Sequence, residues 1–143
     1  MINGVTNAGS LPTLERLMQF AGARHRVIAN NIANLSTPGF RPADVSVADF
    51  QASLRQAADE RRAARGGCGD LSPADTDQVQ FLRDRIELSP TPSGEGVLFH
   101  DGNDRDVERM MQDMVENFMV FRQAAQLLRS RVGVLNAAIR ERL

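Results

Sequence analysis

From Val107 to Ile139 the chain reads VERMMQDMVENFMVFRQAAQLLRSRVGVLNAAI. Val107, Met111, Met114, Phe118, Phe121, Ala125, Leu128, Val132, Leu135 and Ile139 follow one another in alternating steps of four and three. That is a heptad seam held over the whole stretch, and it predicts one long helix. At about 1.5 Å per residue such a helix is on the order of 50 Å long, more than a small domain wraps. A buried large apolar side chain contributes about 1.5–3 kcal/mol only once something covers it, so the seam demands a helical partner. Asp101-Gly102-Asn103 is a turn ahead of it; Asn103 suits the N-cap, and Asp104, Asp106 and Glu108 favour the positive end of the helix dipole.

The internal partner lies near the other end of the chain. Leu14, Leu17, Met18, Ala21, Val27, Ile28, Ile32 and Leu35 share one helical face. Ser10 offers a capping hydroxyl, Pro12 suits a first turn, and Pro38 forbids continuation, so a helix is predicted over 11–36. It is shorter than the C-terminal helix, whose far end should therefore stay uncovered unless other chains supply the rest. Pro38-Gly39 predicts a type II turn with Gly39 at positive φ.

The middle, 37–100, is more broken. Val45 and Val47 alternate briefly, and residues 46–58 read as a short helix carrying Phe50, Leu54, Ala57 and Ala58 on one side. The arginine-rich run over 59–70 reads as solvated surface running into a Gly-rich link. Residues 85–88 and 97–99 are two short candidate strands of a hairpin-like insert. The predicted fold is mainly α: long N- and C-terminal helices pairing as a coiled coil, with a short helix and a small irregular or β-hairpin-like segment between them. The whole forms one assembly unit, with residues 1–10 a flexible tail and 101–143 the C-terminal helix.

Composition narrows the function. At 143 residues with 17 basic and 18 acidic side chains, the net charge of -1 provides no field for nucleic acid or an anionic membrane. No stretch is apolar enough to insert in a bilayer, and residues 1–10 lack the features of a cleaved secretory signal. Cys68 is the single cysteine, which excludes an intrachain disulfide. His25 and His100 stand in no ligand spacing, and Gly66-Gly67-Cys68-Gly69 lacks the Lys-Ser/Thr of a phosphate loop. No nucleophile with its base is in view, so neither catalysis nor a cofactor or metal is expected.

The strongest local signal is the run from Ala29 to Arg41, ANNIANLSTPGFR. Asn30, Asn31 and Asn34 crowd the last turns of an apolar helix, where asparagine is a poor helix former unless its amide has hydrogen bonds to make. Fraying before a Pro-Gly turn accounts comfortably for one of them and less well for three.

With Asn31-Ile32-Ala33-Asn34 followed by Thr37-Pro38-Gly39-Phe40, the chain resembles the flagellar rod and hook axial protein family. Asp101-Gly102-Asn103 with Asp104 and Asp106 is most similar to the short proximal rod proteins within it; a FlgC-like rod subunit is the nearest alternative, and a cytoplasmic coiled-coil adaptor or chaperone the rival of another class. The resemblance implies a structural subunit exported through the flagellar type III apparatus without a cleaved signal, which joins its terminal helices in the periplasmic rod of the basal body and transmits torque. It implies as neighbours copies of itself, FlgC, the adaptor FliE and the distal rod proteins. The subunit interface would take in the two seams together with Asn30, Asn31, Asn34, Thr37, Pro38, Gly39, Phe40, Asn103 and Asp106.

Overall fold

The computed structural model describes residues 9–66, 69–92 and 107–140. The chain order is α1 (Leu11–Ala33), β1 (Ala43–Asp44), α2 (Val47–Arg65), β2 (Val79–Phe81), β3 (Ile86–Leu88), β4 (Thr91–Pro92) and α3 (Val107–Arg140). The mainly helical fold expected from the two seams is the one found.

Helix α1 opens on Ser10, but through its backbone: the carbonyl accepts from Leu14 N–H at 3.0 Å, and the Ser10 hydroxyl makes no capping bond. The helix closes at Ala33, not Ser36. Asn34 sits at φ -101°, ψ 6°, and its side-chain Nδ2 donates to the Asn30 carbonyl at 2.8 Å, competing for an acceptor the helix would use. Leu35 N–H then bonds back only three residues, to Ile32, and Pro38 bars Thr37 from helical backbone. Phe40 N–H reaches the Thr37 carbonyl at 3.1 Å with Gly39 at φ 73°, the type II turn the sequence predicts.

Helix α2 is longer than the predicted 46–58. The Ser46 hydroxyl accepts from Asp49 N–H at 3.2 Å, and the helix runs through the arginine-rich stretch to a left-handed Gly66. Arginine is a good helix former, and its stem packs while its head stays polar, so this run extends the helix where a solvated link was expected. Arg61 is buried, with Nη1 donating to the Gly9 carbonyl at 2.9 Å.

The hairpin pairs β2 with β3 antiparallel, Gln80 opposite Glu87; residues 79–81 were not foreseen as a strand. The candidate strand at 97–99 and the cap at Asn103, with Asp106, lie outside the described residues. Strand β1 pairs with β4, Ala43 opposite Pro92.

Phe20 of α1 stacks on Phe50 of α2 with ring centroids 3.9 Å apart and 5° between planes, and Phe81 of the hairpin lies 6.0 Å from Phe50. Val45, Leu54, Ala57, Leu71, Val79 and Ile86 complete this core, with Leu17 of α1 against it. Arg16 Nη2 donates to the Arg83 carbonyl at 3.1 Å and Gln19 Nε2 to the Asp84 carbonyl at 3.3 Å, which fixes the hairpin tip to α1. One side of α1 therefore belongs to the middle module and another to α3.

Helices α1 and α3 run antiparallel: Arg24 faces Asp113, Ala21 faces Asn117, and Gly22 lies opposite Phe121. The buried residues of α3 are Met110, Asn117 and Ala124. The row Met114, Phe121, Leu128 and Leu135 flanks them, and Met111, Phe118 and Val132 face away. Two heptad seams share that flanking row, and α1 uses the one made of the smaller side chains. Ala21 and Gly22 let the backbones approach, so Ala124 and Asn117 fit where Phe118 would not.

Candidate assembly surface

The asparagines divide their work. Asn31, 5% exposed, gives Nδ2 to the Ala43 carbonyl at 2.7 Å and accepts from Ala43 N–H at 3.3 Å, so its amide pairs with β1 as a strand residue would. Asn34 reaches Asn30 at both the backbone carbonyl, 2.8 Å, and Oδ1, 3.1 Å, adding a second donor to a carbonyl that already accepts the Asn34 backbone N–H at 3.1 Å. Asn30 is exposed, as are Thr37, Pro38 and Gly39, while Phe40 is half-buried. The signature therefore forms an outward-facing turn anchored by the inward-pointing amide of Asn31 and by the Asn34 amide, which bonds along the helix end to Asn30.

Beside it, Arg24 forks onto Asp44, with Nε donating to Oδ1 at 3.0 Å and Nη2 to Oδ2 at 2.5 Å, and Asp113 of α3 lies 3.8 Å away. One guanidinium thus joins α1, β1 and α3. Burial works against the Arg24 charge, but the hydrogen bond and charge of Asp44, with Asp113 and Glu116, outweigh it, so the proton is held more tightly than usual. Burial pushes the Asp113 carboxyl above its ordinary range, and Arg24 opposes that shift without cancelling it. No sequence signal marks this clamp, because its three members are far apart along the chain.

On α1, Ala21 and Ile28 are buried, and Leu14, Leu17 and Ile32 are half-buried, as is Leu35 just beyond the helix end. On α3, Val107, Met111, Phe118, Phe121, Val132 and Ile139 are exposed, and Met114, Ala125, Leu128 and Leu135 are half-buried. Val115, Met119, Leu127 and Val134 extend the exposed apolar surface beyond the predicted seam. So many exposed large apolar side chains on a single helix make a patch of the kind that marks interaction surfaces in general. Among the described residues there is no cluster of His, Cys, Asp and Glu fit to hold a metal, and no helix is long and apolar enough to cross a membrane. A groove of about 590 Å³ opens where the start of α1, the end of α2 and the tail of α3 converge.

Residues 16–41, most of α1 with its turn, match the family described as flagella basal body rod protein. Along nearly its full length the chain is similar to the flagellar basal body rod protein FlgB of Bacillus subtilis, 25% identical over 132 residues, covering 92% of this chain and 94% of the relative. FlgB of Borrelia hermsii is 28% identical over 116 residues, 78% of this chain and 82% of the relative. FlgB of Yersinia enterocolitica is 24% identical over 140 residues, 93% and 95% respectively. The family match falls on the helix end and turn that Asn31, Asn34 and Gly39 shape, and the relatives cover most of the chain, so it is similar to flagellar basal-body rod proteins over most of its length.

Proposed function

We propose that this chain is a structural subunit of the proximal rod of the flagellar basal body, packing through its terminal helices against copies of itself and against the axial proteins FlgC, FliE and the distal rod subunits. The observation that carries this reading is the second seam of α3. Met111, Phe118, Val132 and Ile139 keep heptad spacing on a face α1 does not cover. The two long helices would line the inside of the rod and the middle module would face outward. The signature turn at 37–40, with Asn30, would meet the next subunit. Stiff, repeated helix packing of this kind is what a torque-transmitting shaft needs, and it involves no catalytic step. Export through the type III apparatus without a cleaved signal, to a periplasmic position, completes the proposal.

Deleting the gene and imaging basal bodies by electron microscopy tests the reading. Rings without a rod, and loss of swimming, are the expected result; complete flagella in the deletion strain would remove it.

A further inference from the structure

Helix α3 is polarised in charge as well as in hydropathy. Before Arg122 it carries Glu108, Asp113 and Glu116 against the single Arg109; from Arg122 to Arg140 it carries only arginines among its charged residues. The basic tail contributes Arg131, Val134 and Leu135 to the 590 Å³ groove, whose opposite wall is Arg61 and Arg62 of α2. Arg61 is buried there and holds the Gly9 carbonyl, so the wall is built rather than incidental. Arg131 is exposed and has no ion pair among the described residues, and the pairing of Arg62 with Asp59 is a solvated one of small worth. At 34 residues against 23, α3 is too long for α1, and Val134 in the groove is 63% exposed.

The opposite end of α3 offers the complementary surface. Glu108, Met111, Val115 and Glu116 are all exposed there, with apolar side chains between carboxylates at helical spacing. We infer that the Arg62–Arg131 groove receives the acidic head of α3 from a second copy of this chain, stacking copies head to tail. The inference rests on the rod reading and adds to it the end-on contact and its polarity. An apolar floor of Leu11 and Leu135 within a basic rim fits an apolar strip between carboxylates, and charge of opposite sign at the two ends disfavours head-to-head association.

The test uses full-length chains in which Cys68 is replaced by serine, one carrying Glu108→Cys and the other Arg131→Cys, co-expressed in the deletion strain. Within one chain these positions are separated by about 35 Å of helix, far beyond the roughly 4.4–6.8 Å between Cα atoms that a disulfide spans. Any bond joining them therefore joins two molecules. On mild oxidation of isolated basal bodies, a disulfide-linked dimer is expected from the mixed pair and not from either cysteine chain alone. Arg131→Glu should lower dimer yield about tenfold in a Glu108→Cys and Arg62→Cys pair, and adding Glu116→Arg to the partner should restore it, as charge reversal across a contact predicts. Basal bodies with complete rods that contain both cysteine chains but yield no dimer would overturn the stacking while leaving the rod reading intact. Basal bodies that lack the chain altogether would overturn both.

Discussion

Asn117, about a third of the way along α3, gives its Nδ2 proton to the backbone carbonyl of Ala21 at 2.8 Å, across the interface between the two longest helices. Ala21 is wholly buried and Asn117 is 4% exposed, so this polar contact is enclosed by apolar neighbours. A sheltered asparagine in a heptad seam satisfies its amide in one alignment only, which makes it a register pin.

Replacing Asn117 with Ala is expected to lower the unfolding free energy by about 1–2 kcal/mol, the cost of one enclosed hydrogen bond and a small cavity. Asn117→Leu should cost more, about 1–3 kcal/mol of overpacking against Ala21 and Gly22. Urea denaturation followed by circular dichroism measures both. Equal stability of all three proteins would mean the contact sets nothing.

Asn31→Asp probes the signature helix end. A carboxylate keeps the acceptor for Ala43 N–H but faces the Ala43 carbonyl without a proton to donate, so a loss of about 2–3 kcal/mol is expected at neutral pH. Burial and the facing carbonyl raise the folded-state pKa of the introduced acid above its unfolded value. Its protonated form is therefore favoured by folding, and the lost stability returns as pH falls through the raised pKa. A thermal-melt series against pH reads the recovery, and a penalty unchanged from neutral to acid pH would contradict it.

At the Arg24 clamp the two carboxylates should behave differently. Asp44→Ala leaves the guanidinium without its fork and is expected to destabilise by about 2–3 kcal/mol. Asp113 has its folded pKa raised, so its charged form is disfavoured in the fold; its contribution is most favourable below the unfolded pKa and is lost as pH rises through the folded one. Asp113→Asn should therefore change neutral-pH stability by no more than about 0.5 kcal/mol, toward stabilisation. A large loss from this variant would show that Asp113 belongs to the fork.

Gly39→Ala places a Cβ at φ 73° with open space around it, so the cost is backbone strain alone, about 1 kcal/mol. A β-branched side chain is strained further, and Gly39→Val is expected to reshape the turn and block rod assembly while cellular protein level holds. Immunoblots of whole cells alongside motility plates separate these effects, and normal swimming in Gly39→Val would count against the turn as a contact.

Both long helices were legible from periodicity, and so was the turn after Asn34, because proline and glycine state their backbone demands directly. Which side of α3 meets α1 was not. Heptad spacing admits the row Met110, Asn117, Ala124 as well as the row Met111, Phe118, Ala125. Hydropathy favours the latter, but close approach at Ala21 and Gly22 selects the former. The three asparagines signalled hydrogen-bond work, and the partners, such as Ala43, became visible only in three dimensions. Strand β2 is too short for alternation to mark it, and Arg61 looks solvated in sequence because its acceptor, the Gly9 carbonyl, is remote. The Arg24 clamp and the basic groove likewise join positions that no local window spans.

The pairing of α1 with α3 also sets an order of events. Ala33 and Val107 are separated by the whole middle module, so a chain emerging N-terminus first has α1 and then the Phe20–Phe50–Phe81 stack before any of α3 exists to close the bundle. Until then the α3-facing side of α1, with Ala21 and Gly22, has no cover. The segment that finally supplies that cover is the same one that presents Met111, Phe118 and Ile139 outward. Closure of the subunit and readiness for a neighbour therefore arrive together, and an incomplete chain displays neither the finished bundle nor the seam by which it could be added to a growing structure.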